Sequence, residues 1–176
     1  WLLAHPDHKI SSGEQTKLKN LLTRRAGHEP LAYVRTKTEF YGREFIITPA
    51  VLEPRPESET MLDQLKQLPG LPAKPRFADV GTGSGALGIT AKLELPKAQV
   101  ELLEVDPKAL KVAQKNVDKY ATSISVVLSD LLTSSNQAND VLLCNLPYVP
   151  DSHTINQAAS REPRLAIFGG PDGLNI

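Results

Sequence analysis

Four consecutive residues, Asn145-Leu146-Pro147-Tyr148, combine the types needed to hold a planar nitrogen group for attack. A carboxamide nitrogen is a poor nucleophile, because its lone pair is delocalised into the carbonyl. Acceptors set against both of its N–H hydrogens would orient it toward an incoming methyl group. The side-chain oxygen of Asn145 and the backbone carbonyl of Leu146 are candidates for that pair. Tyr148 offers an aromatic face to pack on the substrate plane, and Pro147 stiffens the loop while removing a competing N–H donor. A purely structural reading of the same string is an Asn-x-Pro turn next to a core tyrosine.

A second chemical element precedes it. After the apolar run Phe77, Ala78, Val80 come Gly81, Thr82, Gly83, Ser84 and Gly85, and a helical pattern begins at Ala86. Alternate glycines let the backbone turn sharply and approach a ligand, and the following helix presents unpaired N–H groups. Alone, such a loop is weakly diagnostic. Asp79 precedes it, Asp106 lies roughly twenty residues beyond it where a carboxylate can accept from ribose hydroxyls, and Asp130 and Asn145 follow further strand-like runs. Glu104 competes with Asp106 for the ribose position, but strand alternation leaves Asp106 nearer the strand tip. Asp106 before Pro107 also fits a helix N-cap, and the two roles can coexist.

The elements that must carry these residues alternate. Strands are expected at about 76–80, 99–105, 124–128 and 140–144, and helices at about 86–94 and 107–120. Such alternation predicts an α/β fold with a mainly parallel sheet covered by helices on both faces. Ligands of open parallel sheets bind beyond the carboxyl ends of the strands, where all the residues above fall. Upstream, residues 1–27 read as helical, with a capping box at Ser12/Gln15 or Ser11/Glu14 and Leu18, Leu21 and Leu22 at helical spacing. Two short strands at about 38–40 and 43–48, joined by Tyr41-Gly42, form a hairpin. An acidic helix start at Glu57-Ser58-Glu59 follows three prolines and continues to about Leu68.

With 176 residues, 40% hydrophobic, 23% charged and zero formal net charge, the composition is that of an ordinary globular domain. It argues against extensive contact with a phosphate backbone. No apolar run reaches the roughly 20 residues of a membrane helix, and no secretory pattern opens the chain. The single cysteine, Cys144, excludes an internal disulfide and reads as a small core residue. The four histidines have no zinc-like spacing, so no metal is expected. Arg161 and Arg164 could meet substrate or pair with Glu162 or Glu57. A start at Trp1 and an end just past a glycine-rich loop read as a fragment truncated at both ends.

The glycine loop, Glu104-Val105-Asp106-Pro107 and Asn145-Leu146-Pro147-Tyr148 resemble motifs of class I S-adenosylmethionine-dependent methyltransferases acting on amide or amino nitrogens. More narrowly, Arg24-Arg25-Ala26-Gly27-His28-Glu29-Pro30, Glu39-Phe40-Tyr41-Gly42, Pro54-Arg55-Pro56-Glu57-Ser58-Glu59 and Glu162-Pro163-Arg164-Leu165-Ala166-Ile167-Phe168-Gly169-Gly170 resemble the HemK/PrmC family of peptide-chain release factor N5-glutamine methyltransferases. The resemblance implies a remnant of an N-terminal helical substrate-recognition domain (1–37), a β-hairpin linker (38–56) and a Rossmann-like methyltransferase domain (57–176), its sheet incomplete at the C-terminus. It implies S-adenosylmethionine as cofactor, with S-adenosylhomocysteine as product, held by Asp79, Gly81, Thr82, Gly83, Ser84, Gly85, Asp106, Asp130, Leu131 and Asn145. It implies a release factor as partner, its Gly-Gly-Gln glutamine held by Asn145, Leu146, Pro147 and Tyr148, with Phe45, Arg55 and Glu57 walling the site. No membrane, metal or direct nucleic-acid partner is implied, and the location is cytoplasmic. Leu146 stands where the family usually has Pro, and Asn-Leu-Pro-Tyr also resembles the tetrad of ribosomal RNA adenine dimethyltransferases. A nucleic-acid base methyltransferase and an inactive cofactor-binding fragment are therefore the alternatives.

Overall fold

The computed structural model describes residues 4–135 and 137–176. The expected helix at Trp1-Leu2-Leu3 lies outside the described residues. From Ala4 to Ser11 the chain turns without forming α-helix, so the expected helix from residue 1 is shortened. Pro6 explains this, because a proline disfavours helical backbone in the residue before it. Helix α1 (Ser12–Ala26) starts at the Ser11 cap, where the Ser11 hydroxyl accepts from the Glu14 N–H and the Glu14 carboxylate accepts from the Ser11 N–H. A short helix α2 (Leu31–Arg35), not anticipated from the sequence, follows Pro30 and buries Ala32, Tyr33 and Val34.

Strands β1 (Lys37–Phe40) and β2 (Arg43–Ile46) pair antiparallel, with Phe40 opposite Arg43. Their two-residue turn has positive φ at both Tyr41 (51°) and Gly42 (68°), the geometry that matches strand twist. The hairpin is fastened to helix α3 (Glu59–Gln67): the Tyr41 N–H donates to Glu59 Oε1 at 2.7 Å and the Tyr41 hydroxyl to Asp63 Oδ1 at 2.7 Å. A 3-10 turn at Pro56–Ser58 leads into α3.

The remaining elements are β3 (Arg76–Val80), α4 (Ala86–Glu94), β4 (Gln99–Glu104), α5 (Pro107–Lys119), β5 (Ser125–Leu128) and β6 (Val141–Cys144). The four strands form one parallel sheet in the order β5-β4-β3-β6. The main core lies on the face carrying Phe77, Val100, Leu102 and Leu143, packed by Leu62 and Leu65 of α3, Ile89 of α4 and Val117 of α5. Helices α3 to α5 thus cover one face, not both. Crossovers β3-α4-β4 and β4-α5-β5 step outward in the same direction, and right-handed connections then put both helices on the same side. The chain reverses between β5 and β6, and there the 129–140 connection contains no helix among the described residues. The other face has a small cluster of Ala78, Val80 and Leu103. It leaves Leu142 and Cys144 exposed, so Cys144 is not a core residue.

Candidate functional site

The reversal in strand order puts the carboxyl ends of β3 and β6 side by side, and the main cavity opens there. Its volume is ≈ 460 Å³. One wall is the loop after β3. Asp79, buried on the last turn of the strand, accepts from the Thr82 hydroxyl at 2.6 Å and from the Gly88 N–H at 2.9 Å, both on Oδ2. It thereby ties the loop to the first turn of α4. Burial pushes its carboxyl from 3.8 up to about 6, against the two hydrogen bonds that favour the charged form.

Glu104 closes the loop from the other side. It ends β4, is buried, and accepts from the Gly83 N–H at 2.8 Å with one oxygen and from the Val105 and Asp106 N–H groups with the other. Asp106 caps α5, accepting from the Lys108 N–H at 2.8 Å, and also borders the cavity. The strand therefore ends two residues before Asp106, and Glu104 is the acid bonded directly to the glycine loop. Strand alternation carried the signal, since Glu104 shares the face of Leu102 and Asp79.

Opposite stands the loop after β6. Asn145 is exposed to the cavity, and its Nδ2 donates to Ser58 Oγ at 3.2 Å. Leu146 leans across to the glycine loop, where a Cβ on Gly81 (φ +68°) would stand 2.9 Å from Leu146 Cδ2. Glycine at 81 thus serves both the turn and the space for leucine. Ser129, Asp130 and Leu131 border the floor, and Pro163, Leu165 and Phe168 the roof.

Asp79, Gly81, Thr82, Gly83, Ser84, Asp106, Asp130, Leu131, Asn145, Leu146 and Pro147 are brought together around this cavity. Five expected residues are not. Gly85 faces the core beside Ile89 and Leu102. Tyr148 points away, 72% exposed. Phe45, expected as a wall, is fully buried against Phe40 and Tyr120, because alternation along β2 turns it into the core; Phe40 borders the cavity instead. Arg55 pairs with the buried Glu162, and Glu57 is exposed on the turn before α3, so neither borders the cavity. Arg164 pairs with Asp151 at 2.6 Å and Arg161 donates to the Gly27 carbonyl, so neither takes Glu162 or Glu57. Ser58, Glu104 and Ser129 are additions; hydroxyl residues in turns carry little signal of their own.

The lining suits one kind of ligand. Asp79, Glu104, Asp106 and Asp130 border the cavity, and no lysine or arginine does so among the described residues. That set repels a phosphate and favours a cationic group joined to a hydroxyl-bearing nucleoside. No cluster of three or more His, Cys, Asp or Glu among the described residues could hold a metal ion, and no helix there is long and apolar enough to cross a membrane.

Residues 56–162 match the model of the methyltransferase small domain, and residues 1–35 match that of the PrmC N-terminal domain. The chain is 33% identical to a release factor glutamine methyltransferase of Koribacter versatilis, over 100% of this chain and 65% of the relative. It is 34% identical to one of Moorella thermoacetica, over 99% of this chain and 63% of the relative. It therefore spans less than two thirds of the length of these curated relatives. Among solved structures it resembles a T. thermophilus 16S rRNA N2 G1207 methyltransferase in complex with AdoMet and guanosine. The TM-score is 0.53 at 21% identity, covering 71% of this chain and 36% of that one, a likeness of fold.

Proposed function

We propose, from the premise that this chain belongs to the HemK/PrmC family of small-domain methyltransferases, that it carries the S-adenosylmethionine site and the catalytic loop of a glutamine N5-methyltransferase acting on the Gly-Gly-Gln loop of a peptide-chain release factor. The observation that carries this reading is the joining of the glycine loop and Asn145-Leu146-Pro147 in one acid-lined cavity without a basic residue. S-adenosylmethionine, when bound, supplies an activated methyl group on a sulfonium. Gly81 and Gly83 would let its amino-acid end approach the backbone, Glu104 and Asp106 would accept from its ribose hydroxyls, and Val105 and Leu131 would give apolar contact to its base. The Asn145 side-chain oxygen and the Leu146 carbonyl accept the two N–H hydrogens of the substrate amide, holding its nitrogen toward the methyl. No side chain has to remove a proton before attack: as the nitrogen–methyl bond forms, the sulfur–methyl bond would break and a neutral thioether would leave, and the nitrogen, acidic once methylated, would release its proton to water. A release-factor substrate fits a cytoplasmic location. The domain division at 1–37, 38–56 and 57–176 belongs to the same reading.

Calorimetric titration of S-adenosylmethionine into the chain, repeated with Glu104→Ala, tests the pocket, and methyl transfer to a release factor tests the substrate. Saturable binding lost in Glu104→Ala is expected. Transfer is expected to fall about a hundredfold in Asn145→Ala with little change in cofactor affinity. Near-normal transfer in Asn145→Ala, or transfer to ribosomal RNA but not to the release factor, would overturn the reading.

A further inference from the structure

Asn145 can perform the role given to it only if its oxygen, not its nitrogen, faces the substrate. A carboxamide is nearly symmetric in shape, and a half-turn about its last bond exchanges an acceptor for a donor. With its oxygen turned to the substrate, its nitrogen needs an acceptor on the other side. Asn145 Nδ2 donates to Ser58 Oγ at 3.2 Å, and no donor among the described residues meets Oδ1. Both residues border the cavity. Ser58 lies 87 positions away in sequence, on the turn that leads into α3.

We propose that Ser58 is the positioning residue of the site: its hydroxyl oxygen accepts from the Asn145 amide and so leaves the Asn145 oxygen free to select and orient a substrate amide. This rests on the function proposed above. Ser58 is itself held. Its backbone N–H donates to the Arg55 carbonyl at 3.0 Å. The next residue, Glu59, accepts from the Tyr41 N–H, fastening the turn to the hairpin. Lys66 reaches the Tyr41 hydroxyl at 2.9 Å, adding to the ties that Glu59 and Asp63 make between α3 and the hairpin. The hairpin thus steadies, through Ser58, a side chain on the far wall that meets the substrate. Ser58 touches Asn145 rather than the reacting atoms and needs only an acceptor oxygen at this position, which threonine also carries.

The test compares wild type, Ser58→Ala, Ser58→Cys and Ser58→Thr in the same chain. Two-dimensional nitrogen–proton spectra read the Asn145 side-chain amide directly, assigned by its disappearance in Asn145→Asp. In the wild type its two protons should differ in shift and exchange slowly with solvent. In Ser58→Ala and Ser58→Cys the difference should shrink and exchange accelerate, and Ser58→Thr should restore both. In transfer to a release factor, kcat should fall about tenfold in Ser58→Ala with cofactor affinity unchanged, and recover in Ser58→Thr. An Asn145 amide signal indifferent to all three substitutions would overturn the proposal, as would unchanged kcat in both Ser58→Ala and Ser58→Cys. Failure of the wild type to methylate any release factor would instead overturn the function proposed above, while the amide signal would still report whether Ser58 holds Asn145.

Discussion

On the glycine-loop side of the cavity, the groups that fix the backbone belong to the strand–helix core: Asp79 holds Thr82 and Gly88, and Glu104 at the end of β4 holds Gly83. On the opposite side, the loop at 145–150 is held by the irregular segment at 167–170 and not by the strand–helix core. The Val149 N–H donates to the Ile167 carbonyl at 3.0 Å, the Gly169 N–H to the Val149 carbonyl at 3.0 Å and the Asp151 N–H to the Gly170 carbonyl at 2.9 Å. Asn145 takes its partner from the turn before α3. The first wall is therefore part of the folding core, and disturbing it costs global stability. The second is a layer laid over the sheet, which can shift while the sheet persists. On the function proposed above, the cofactor would gain from the first kind of wall, and a protein loop entering as substrate from the second.

The contrast can be broken most sharply at Gly88, where a Cβ would stand 2.4 Å from Leu102 Cδ2 and 2.9 Å from Asp79. Gly88→Ala should destabilise the chain by about 3 kcal/mol and weaken cofactor binding with it, as thermal unfolding and calorimetry would show. If Gly88→Ala left both unchanged, the first wall would not be part of the core.

Asp79 gives the next effect. Unfolded, its carboxyl loses its proton near the ordinary 3.8, and folded it keeps the proton up to about 6. Between those values the native state binds the extra proton, so this group's contribution to stability falls as pH rises. The loss is about 2 kcal/mol from about pH 4 to about pH 6. Denaturant titrations of wild type and Asp79→Asn across that window should differ in slope by this amount; parallel curves would show that the buried carboxyl does not govern the first wall.

The layer over the sheet should respond asymmetrically at Arg55 and Glu162. Glu162 is buried, pairs with Arg55 and also accepts from the Glu53 N–H, whereas Arg55 remains half-exposed. Arg55→Met leaves a buried carboxylate without its cation and should cost about 2 kcal/mol, while Glu162→Gln returns a guanidinium to water and should cost about half of that. Equal losses on denaturant unfolding would contradict this account.

The smallest effect belongs to Gly173, at φ +82° with its Cβ position 2.3 Å from the Tyr148 carbonyl oxygen. Gly173→Ala should lower stability by about 1 kcal/mol yet reduce transfer activity disproportionately to cofactor affinity. If binding and transfer fell together, the two walls would not be separable.

The elements of the alternating strand–helix region were legible in sequence because their signals are local. Arg76–Val80 and Ala86–Glu94 match the expected spans, since an apolar run broken by three glycines leaves little choice of where strand stops and helix begins. Helix α2 was not legible: five residues are too few to show a period, and it forms because Ala32 and Tyr33 find Ile47, Val51 and Val112 to pack against. The facing of Phe45 was not legible for a related reason. Alternation shows that Phe45 differs from its neighbours in facing, but not which face of an isolated hairpin meets the rest of the chain.

The sequence by itself determined the α/β order, the glycine loop and the acids at the strand ends, because residues adjacent in the chain set the backbone there. Only the tertiary structure decided that Glu104 meets the loop, that three helices share one face, and that Ser58 holds Asn145. Those facts depend on which strands become neighbours, and a reversal in strand order brings together residues that nothing along the chain relates.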